Sequence, residues 1–474
     1  MIGIIQSLPR SSAEAQGVAS QPILDFVEAL AARGHEVHSF VLVRHGHVVA
    51  ESWWKPYHAD RRHMMFSVSK SFTAIAIGFA VQEGLLAIED RVVSFFPDDL
   101  PDEPSLNLLT MTVRDLLMMA TGHSDLPNLK ASNSWVRQFL AHPVLERPGT
   151  RFDYNTPATY MLSAILQKQA GVTLLDFLRP RLFDPLGVEN PKWQSCPSGI
   201  STGGYGLSIR TEDLAKFGQF LLQEGVWNGE RLLDAHWIRQ ATGWQISNGT
   251  DATYDWESGY GYQFWRCRFG AYRADGAFGQ FCIVMPEQDA VLAINSGLTD
   301  MRDVLELVWT HLLPAMHRDA LPENPEVAWN LRGRLANLEV ALPTGYHNSP
   351  MEPLLATATF ALAEGTEFNT LSVVPGSDGL ILRLTDAKAT LIIEAPYGHW
   401  PPESSQDMTS ARAVWTEHNV LIVRYAHIET PFIRTYELRF DESASTVEFS
   451  WRRSCSFGRH EYGPIQGVRL SGGN

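Results

Sequence analysis

Ser67 and Lys70, three positions apart in HMMFSVSKSFTAIAIGFAVQEG (residues 63–84), have the types and spacing for nucleophilic chemistry. A serine hydroxyl is a weak nucleophile until a neighbour removes its proton. A lysine becomes that neighbour when burial strips the solvation from its ammonium form, and Met64, Met65, Phe66 and Phe72 supply an apolar surround. Phe72, Ile75, Ala76, Phe79 and Ala80 recur at helical spacing and Gly84 supplies a stop, so the pair shares one face of a helix's first turn. A helix start also offers unpaired N–H groups and the positive end of the dipole to an oxyanion. The chemistry this suggests is acyl transfer. Spacing alone does not establish it: Ser52 and Lys55 in ESWWKPY repeat it, but Pro56 follows and no apolar helical run does.

Two further stretches supply partners. In RFDYNTPATYML (residues 151–162), Tyr154 stands where Asn155, Thr156 and Pro157 turn the chain into the next helix. A hydroxyl there that reached Ser67 and Lys70 would relay a proton to a leaving group, whereas the competing reading is an ordinary half-buried ring. In YRADGAFGQFCIVMPEQDAVL (residues 272–292), Gly276 and Gly279 enter a strand, as glycines do where a backbone passes close to another group; a turn with a bulge is the alternative. The glycines of GGYG, Gly203, Gly204 and Gly206, lack the Lys-Ser/Thr and the clear preceding strand of a phosphate loop and read as a tight turn.

The elements that must position these residues follow from periodicity. Residues 22–33 read as a helix ending at Gly34, and VHSFVLV and HVVAESW read as a hairpin joined around Arg44 to Gly46. Thr112 is placed to cap a helix in residues 109–123 that ends at Gly122. Residues 160–170 and 211–223 have helical periods. GYGYQFWRCR, GQFCIVMP and AVLAINSG then read as three strands before an apolar helix at about 302–313. Neither the early hairpin nor the late strands have the crossover helices that parallel pairing needs. One antiparallel sheet is therefore expected, with the middle of the chain inserted as a helical subdomain. The Pro-rich, polar residues 317–339 read as a linker between a first domain, 1–316, and residues 340–474. The latter alternate apolar and polar in LILRLT, TLIIEA, NVLIVRYAHIE, RTYELRF and TVEFSWRR, which implies an all-β sandwich or small barrel. Trp400, Trp415 and Trp451 there read equally as core or packing rings or as a carbohydrate platform.

Composition sets the outer bounds. A length of 474 residues favours two domains, and 38 Lys plus Arg against 53 Asp plus Glu, a formal charge of −15, argues against nucleic acid or an anionic membrane as partner. Cys196, Cys267, Cys282 and Cys455 have no metal or redox spacing. They read as free thiols, although Cys267 and Cys282 could face each other on neighbouring strands. The first residues lack a secretory pattern and no apolar run reaches the length of a membrane span, so a cytoplasmic location is expected.

In order, SVSK, LLMMATGH and the Gly-rich GGYGLSIRTEDLAKFGQFLLQEGVWNGERLL make the chain resemble the serine β-lactamase-like hydrolases from about residue 20 to 316. That family includes class C β-lactamases, DD-peptidases, D-aminopeptidases, 6-aminohexanoate-oligomer hydrolases and esterases. The resemblance implies an α+β fold, an antiparallel sheet flanked by helices with a helical subdomain, here followed by the C-terminal all-β domain. It implies Ser67 as nucleophile, Lys70 as proton acceptor and Tyr154 as second acid/base, with the backbone N–H groups of Ser67 and Ala277 as oxyanion hole. Asn155, Thr156, Asp275 and Gly276 are the substrate-binding candidates. Two positions depart from the family: Asn155 precedes Thr156 where Tyr-x-Asn is usual, and Ala274-Asp275-Gly276 stands where Lys-Thr-Gly or His-x-Gly is usual. Ala274 offers no positive charge to a substrate carboxylate, which disfavours an efficient β-lactamase. Arg273 should alternate to the opposite face, and Asp275 suggests an amine-bearing substrate. The expected activity is serine hydrolysis of a small ester, amide or short peptide through an acyl-enzyme, without metal or cofactor and with homo-oligomerisation open. The alternative is a penicillin-binding-like protein that holds a peptide or cell-wall fragment and turns over poorly.

Overall fold

The hairpin Val37–Arg44 (β1) and His47–Trp53 (β2) follows the helix Ser20–Ala32 (α1), and its first strand is buried along its whole length because it becomes an interior strand. The computed structural model describes residues 7–251, 253–402 and 408–470. Strands Trp265–Arg266 (β3), Tyr272–Gly276 (β4), Gln280–Met285 (β5) and Ala290–Ser296 (β6) complete a sheet that has six strands among the described residues, in the order β2-β1-β6-β5-β4-β3. Every pairing is antiparallel, and β1 joins β6 with Val41 opposite Ala293, so the two ends of this part of the chain meet in space.

Strand alternation divides the core. Val41, Val43, Cys282, Val284 and Val291 pack with the helices Val68–Gln82 (α2) and Thr211–Leu222 (α4), whereas Phe40, Leu42, Phe281, Ile283 and Ile294 pack with α1 and Arg302–Leu307 (α5). Between α2 and α4 the chain forms the helical subdomain, which contains Thr156–Ala170 (α3), closed by left-handed Gly171. The α+β architecture read from the sequence, one antiparallel sheet flanked by helices with an inserted helical subdomain, is the architecture present.

Three local expectations are corrected. The helix read from a Thr112 cap to Gly122 has that cap, in a Thr112–Asp115 capping box, but is only Val113–Leu117, with a separate short helix Leu106–Thr110 before it. It stops because the following carbonyls are taken by the tyrosine loop: Asp153 N donates to Met119 O at 2.8 Å and Gly149 N to Ala120 O at 2.7 Å. In GYGYQFWRCR only Trp265 and Arg266 join the sheet, while Tyr260, Tyr262 and Phe264 are core residues of the helical subdomain, turned there through left-handed Gln263. The segment read as a linker, 317–339, holds a helix, Pro325–Ala336 (α6), whose Leu331 joins the core under α1 and whose Arg334 pairs with Glu28 at 2.7 Å. Pro325 starts this helix rather than breaking it, since the first helical position needs no N–H.

The C-terminal strands are Thr359–Leu362 (β7), Thr370–Pro375 (β8), Gly379–Thr385 (β9), Thr390–Pro396 (β10), Thr409–Glu417 (β11), Val420–His427 (β12), Ile433–Phe440 (β13), Thr446–Arg453 (β14) and Glu461–Arg469 (β15). They form one antiparallel sheet in the order β10-β9-β8-β7-β15-β14-β13-β12-β11, and a bridge from Tyr397 to Ala413 brings its two edges together into a nearly closed barrel. Trp415, Val423, Tyr436 and Phe449 fill its interior. All four cysteines are buried and free, with Cys267 against Arg273 and Cys282 turned toward α4.

Since α6 is part of the core, Leu331→Ala is expected to cost about 2–3 kcal/mol in urea unfolding. An effect within the range of a surface substitution would show that α6 is a mere tether.

Candidate active site

Ser67 occupies the cap position of α2 yet makes no side-chain cap bond, so its hydroxyl is left for other partners. One is Lys70, whose Nζ donates to Ser67 Oγ at 2.9 Å and to the Gly204 carbonyl at 2.7 Å. Lys70 is 1% exposed, and this burial lowers its pKa from 10.5 to about 7, against the opposing field of Asp275. At neutral pH an appreciable fraction of Lys70 is therefore the free amine facing Ser67.

The first turn of α2 is fastened on several sides. Ser69 Oγ accepts from Leu207 N at 3.1 Å, Ser71 donates to Gln263 O at 2.7 Å and Thr73 to Gly203 O at 2.9 Å. Gln263 also accepts from Thr159 on α3 and donates to the Leu116 and Leu117 carbonyls, tying α2 to the subdomain. The loop 203–206 is held close to α3: a Cβ on Gly204 would lie 2.8 Å from Thr156 Cγ2. The sequence marked these glycines as a turn; that one of their carbonyls receives Lys70 is visible only in the fold.

Tyr154 lies beside this pair. Lys70 Nζ is 4.9 Å from its ring centroid, and its hydroxyl shares a hydrogen bond with Ser67. Burial raises the Tyr154 pKa and the Ser67 contact partly offsets this, so the phenol stays protonated and able to donate. Trp265 at 5.4 Å and Tyr260 at 6.5 Å, edge to face, hold the ring. Its neighbours in sequence diverge: Thr156 lines the cavity, whereas Asn155 is 1% exposed, caps α3 by accepting from Ala158 N and donates to Thr121. Asn155 thus acts here as a helix cap and does not line the cavity.

The amides of Ser67 and Ala277 make no intramolecular hydrogen bond among the described residues. The strand end carrying Ala277 runs so close to the serine segment that a Cβ on Gly276 would lie 2.3 Å from Met65 O. Phe66, before Ser67, and Phe278, after Ala277, are both left-handed, with φ of 47° and 67°. Such backbone is costly for bulky residues and is kept where the surroundings impose it. Their rings meet edge to face at 5.3 Å, and Phe432 and Phe457 of the barrel close around them.

Ser67, Tyr154, Thr156, Asp275 and Ala277 line one cavity of about 600 Å³, a volume suited to a small organic ligand. Trp256, Trp265, Met301 and Phe457 also line it; nothing local in the sequence marks them, because they come from loops far apart in the chain. Among the described residues Asp275 supplies the one formally charged side chain of the lining, and its charge is already matched. Arg273, on the same strand face, donates to it from Nε at 2.9 Å and lies 2.8 Å away through Nη2, while stacking 4.4 Å from the Trp256 ring. Ala274 points to the other face, into the core under α2.

A family model described as Beta-lactamase matches residues 25–307. A 6-aminohexanoate-dimer hydrolase from Paenarthrobacter ureafaciens is 24% identical over 288 residues, covering 55% of this chain and 73% of that protein. Among solved structures, a Bacillus anthracis protein assigned as a 6-aminohexanoate-dimer hydrolase aligns with a TM-score of 0.55 at 20% identity, over 67% of this chain and 89% of that one. An octameric penicillin-binding protein homologue from Pyrococcus abyssi aligns with a TM-score of 0.51 at 16% identity, over 94% of this chain and 99% of that one, barrel included. At these identities the structural likenesses establish the fold alone.

Two outcomes follow from the geometry. Any turnover that uses Lys70 as base is expected to rise with pH through about 7 and level off above it, because the amine and not the ammonium accepts the proton; a rate that falls through this range contradicts that role. Gly276→Ala is expected to lower kcat about a hundredfold by forcing the two candidate oxyanion donors apart. Near-normal kcat in a folded variant would show that this approach is not needed.

Proposed function

The chain belongs to the beta-lactamase family, and from that premise we propose that it is a serine hydrolase that cleaves a small ester or amide through an acyl-enzyme. The observation that carries the reading is the 2.9 Å contact between Lys70 Nζ and Ser67 Oγ in a site that lowers the lysine pKa to about 7.

In the proposed sequence the neutral Lys70 takes the Ser67 proton as Oγ attacks the substrate carbonyl carbon. Negative charge moves to the carbonyl oxygen, where the Ser67 and Ala277 amides receive it. Tyr154 protonates the departing alcohol or amine, and the phenolate left behind takes back the proton that Lys70 accepted from Ser67. Water then enters, the same base takes its proton, and the acyl-enzyme bond breaks to release the acid and restore Ser67. Thr156 and the loop residues Gly204, Tyr205 and Gly206 supply polar groups along the cavity wall. Among the described residues the lining has no cation to receive a carboxylate, so a penicillin-type ring with its acid is a poor fit, and uncharged esters, amides and short peptides fit better. The similarity to a 6-aminohexanoate-dimer hydrolase supports amide cleavage.

The test is stopped-flow hydrolysis of a p-nitrophenyl ester with mass analysis of the quenched enzyme. A stoichiometric burst, an acyl adduct on the Ser67 peptide and steady turnover are expected, all lost in Ser67→Ala. Turnover that survives the substitution would overturn the mechanism, and a burst without turnover would favour a penicillin-binding-like binder.

A further inference from the structure

The serine, its base and its acid all come from the first domain, yet one wall of the cavity comes from the barrel. Phe457 lies in the loop between β14 and β15, and its ring is 4.6 Å from Phe278 and 5.9 Å from Phe66, the two residues that flank the candidate oxyanion amides. It lines the cavity and is nevertheless 77% exposed.

The loop that presents it is fixed. Cys455, two residues earlier, is buried and its thiol donates to Pro431 O at 3.4 Å; Ser454 donates to the same carbonyl at 3.2 Å and exchanges backbone and side-chain bonds with Ile433. The adjoining loop 428–432 is in turn bound to the segment just before the nucleophile. Met64 N donates to Glu429 O at 3.0 Å, Tyr57 donates to Thr430 O at 3.2 Å and Arg62 pairs with Glu429 at 3.2 Å. Phe457 is therefore held at the mouth beside Ser67 by a chain of contacts that begins in the catalytic domain, with most of its face uncovered.

The surface it faces is apolar. Met64, Phe66, Trp256, Trp265 and Met301 share the lining, and the carboxylate of Asp275 is neutralised by Arg273. We propose that Phe457 is a specificity-determining residue that packs on an uncharged apolar or aromatic group of the substrate, so that the barrel completes the substrate site. This rests on the hydrolase reading above and adds the substrate class. An apolar group covering the ring removes both surfaces from water, whereas a charged group in the same place loses hydration and gains no partner.

The experiment measures kcat/KM of the full chain on two ester series. One varies the acyl chain, p-nitrophenyl acetate, butyrate and octanoate; the other varies the alcohol, with methyl, butyl and 1-naphthyl acetates. Wild type is expected to favour the larger apolar group in one series, which identifies the side that Phe457 contacts. Phe457→Ala is expected to shrink that preference about tenfold, mainly through KM, and Phe457→Leu to retain most of it. Because the ring is exposed, the thermal midpoint should stay near that of wild type, which separates lost selectivity from lost folding. A uniform loss across every ester, or an unchanged preference in both series, overturns the assignment of Phe457 while leaving the hydrolase reading intact. Absence of Ser67-dependent turnover in wild type on every ester and on the corresponding anilides overturns both.

Discussion

A lysine ammonium held out of water next to a serine hydroxyl is the constraint on which the rest of the structure depends. Lowering a lysine from 10.5 to about 7 corresponds to about 5 kcal/mol of lost preference for the charged form. That cost falls on the folded state in full below pH 7 and is relieved as pH rises toward 10.5, where the unfolded chain also releases its proton. The fold meets it by burying the first turns of α2 on all sides: residues from Val68 to Ala80 are buried against sheet, α3 and α4. The one nearby opposing charge, Asp275, would hold Lys70 protonated if it stood alone. Its contacts with Arg273 absorb much of that field, and Arg273 is itself buried against Trp256. Burial thus sets the state of the base, and a carboxylate remote from the nucleophile in sequence opposes it.

A second constraint is the closeness of two backbones. Gly276 lets the end of β4 pass against Met65, and this brings the Ala277 amide to the serine segment. On either side stand Phe66 and Phe278 in left-handed backbone, their rings locked together and covered by Phe432 and Phe457. The barrel is accordingly more than an appended module. Its tip contacts the residues that flank both candidate oxyanion donors, and strain at those residues is sustained by aromatic packing from two parts of the chain.

Local patterns made much of this legible in the sequence. The helical run after Ser67, the alternation in β1 and β2 and the glycines before β5 identified the elements that carry the candidate chemistry, and the Ser52–Lys55 repeat was separable because Pro56 follows it. In the structure Ser52 donates to Leu335 O on the far side of the domain. What local pattern could not carry was long-range: Gly204 as the lysine's acceptor, 134 residues away, and Phe457 at the mouth. Asn155 shows the same limit from the other side, since a polar residue beside a candidate acid reads as a ligand contact until its cap bond to Ala158 is seen. Arg273 could be assigned by alternation to the strand face that Asp275 shares, but its stacking on Trp256 depended on a loop brought in from outside the strand.

The most direct measurement of the central claim is an NMR titration of Lys70 in protein labelled with 13C at the lysine Cε, with the resonance assigned by comparison with Lys70→Arg. The expected result is a midpoint near 7, far below the ordinary lysine value. A midpoint near 10 would contradict the account, because Ser67 would then face a permanent ammonium with no proton acceptor.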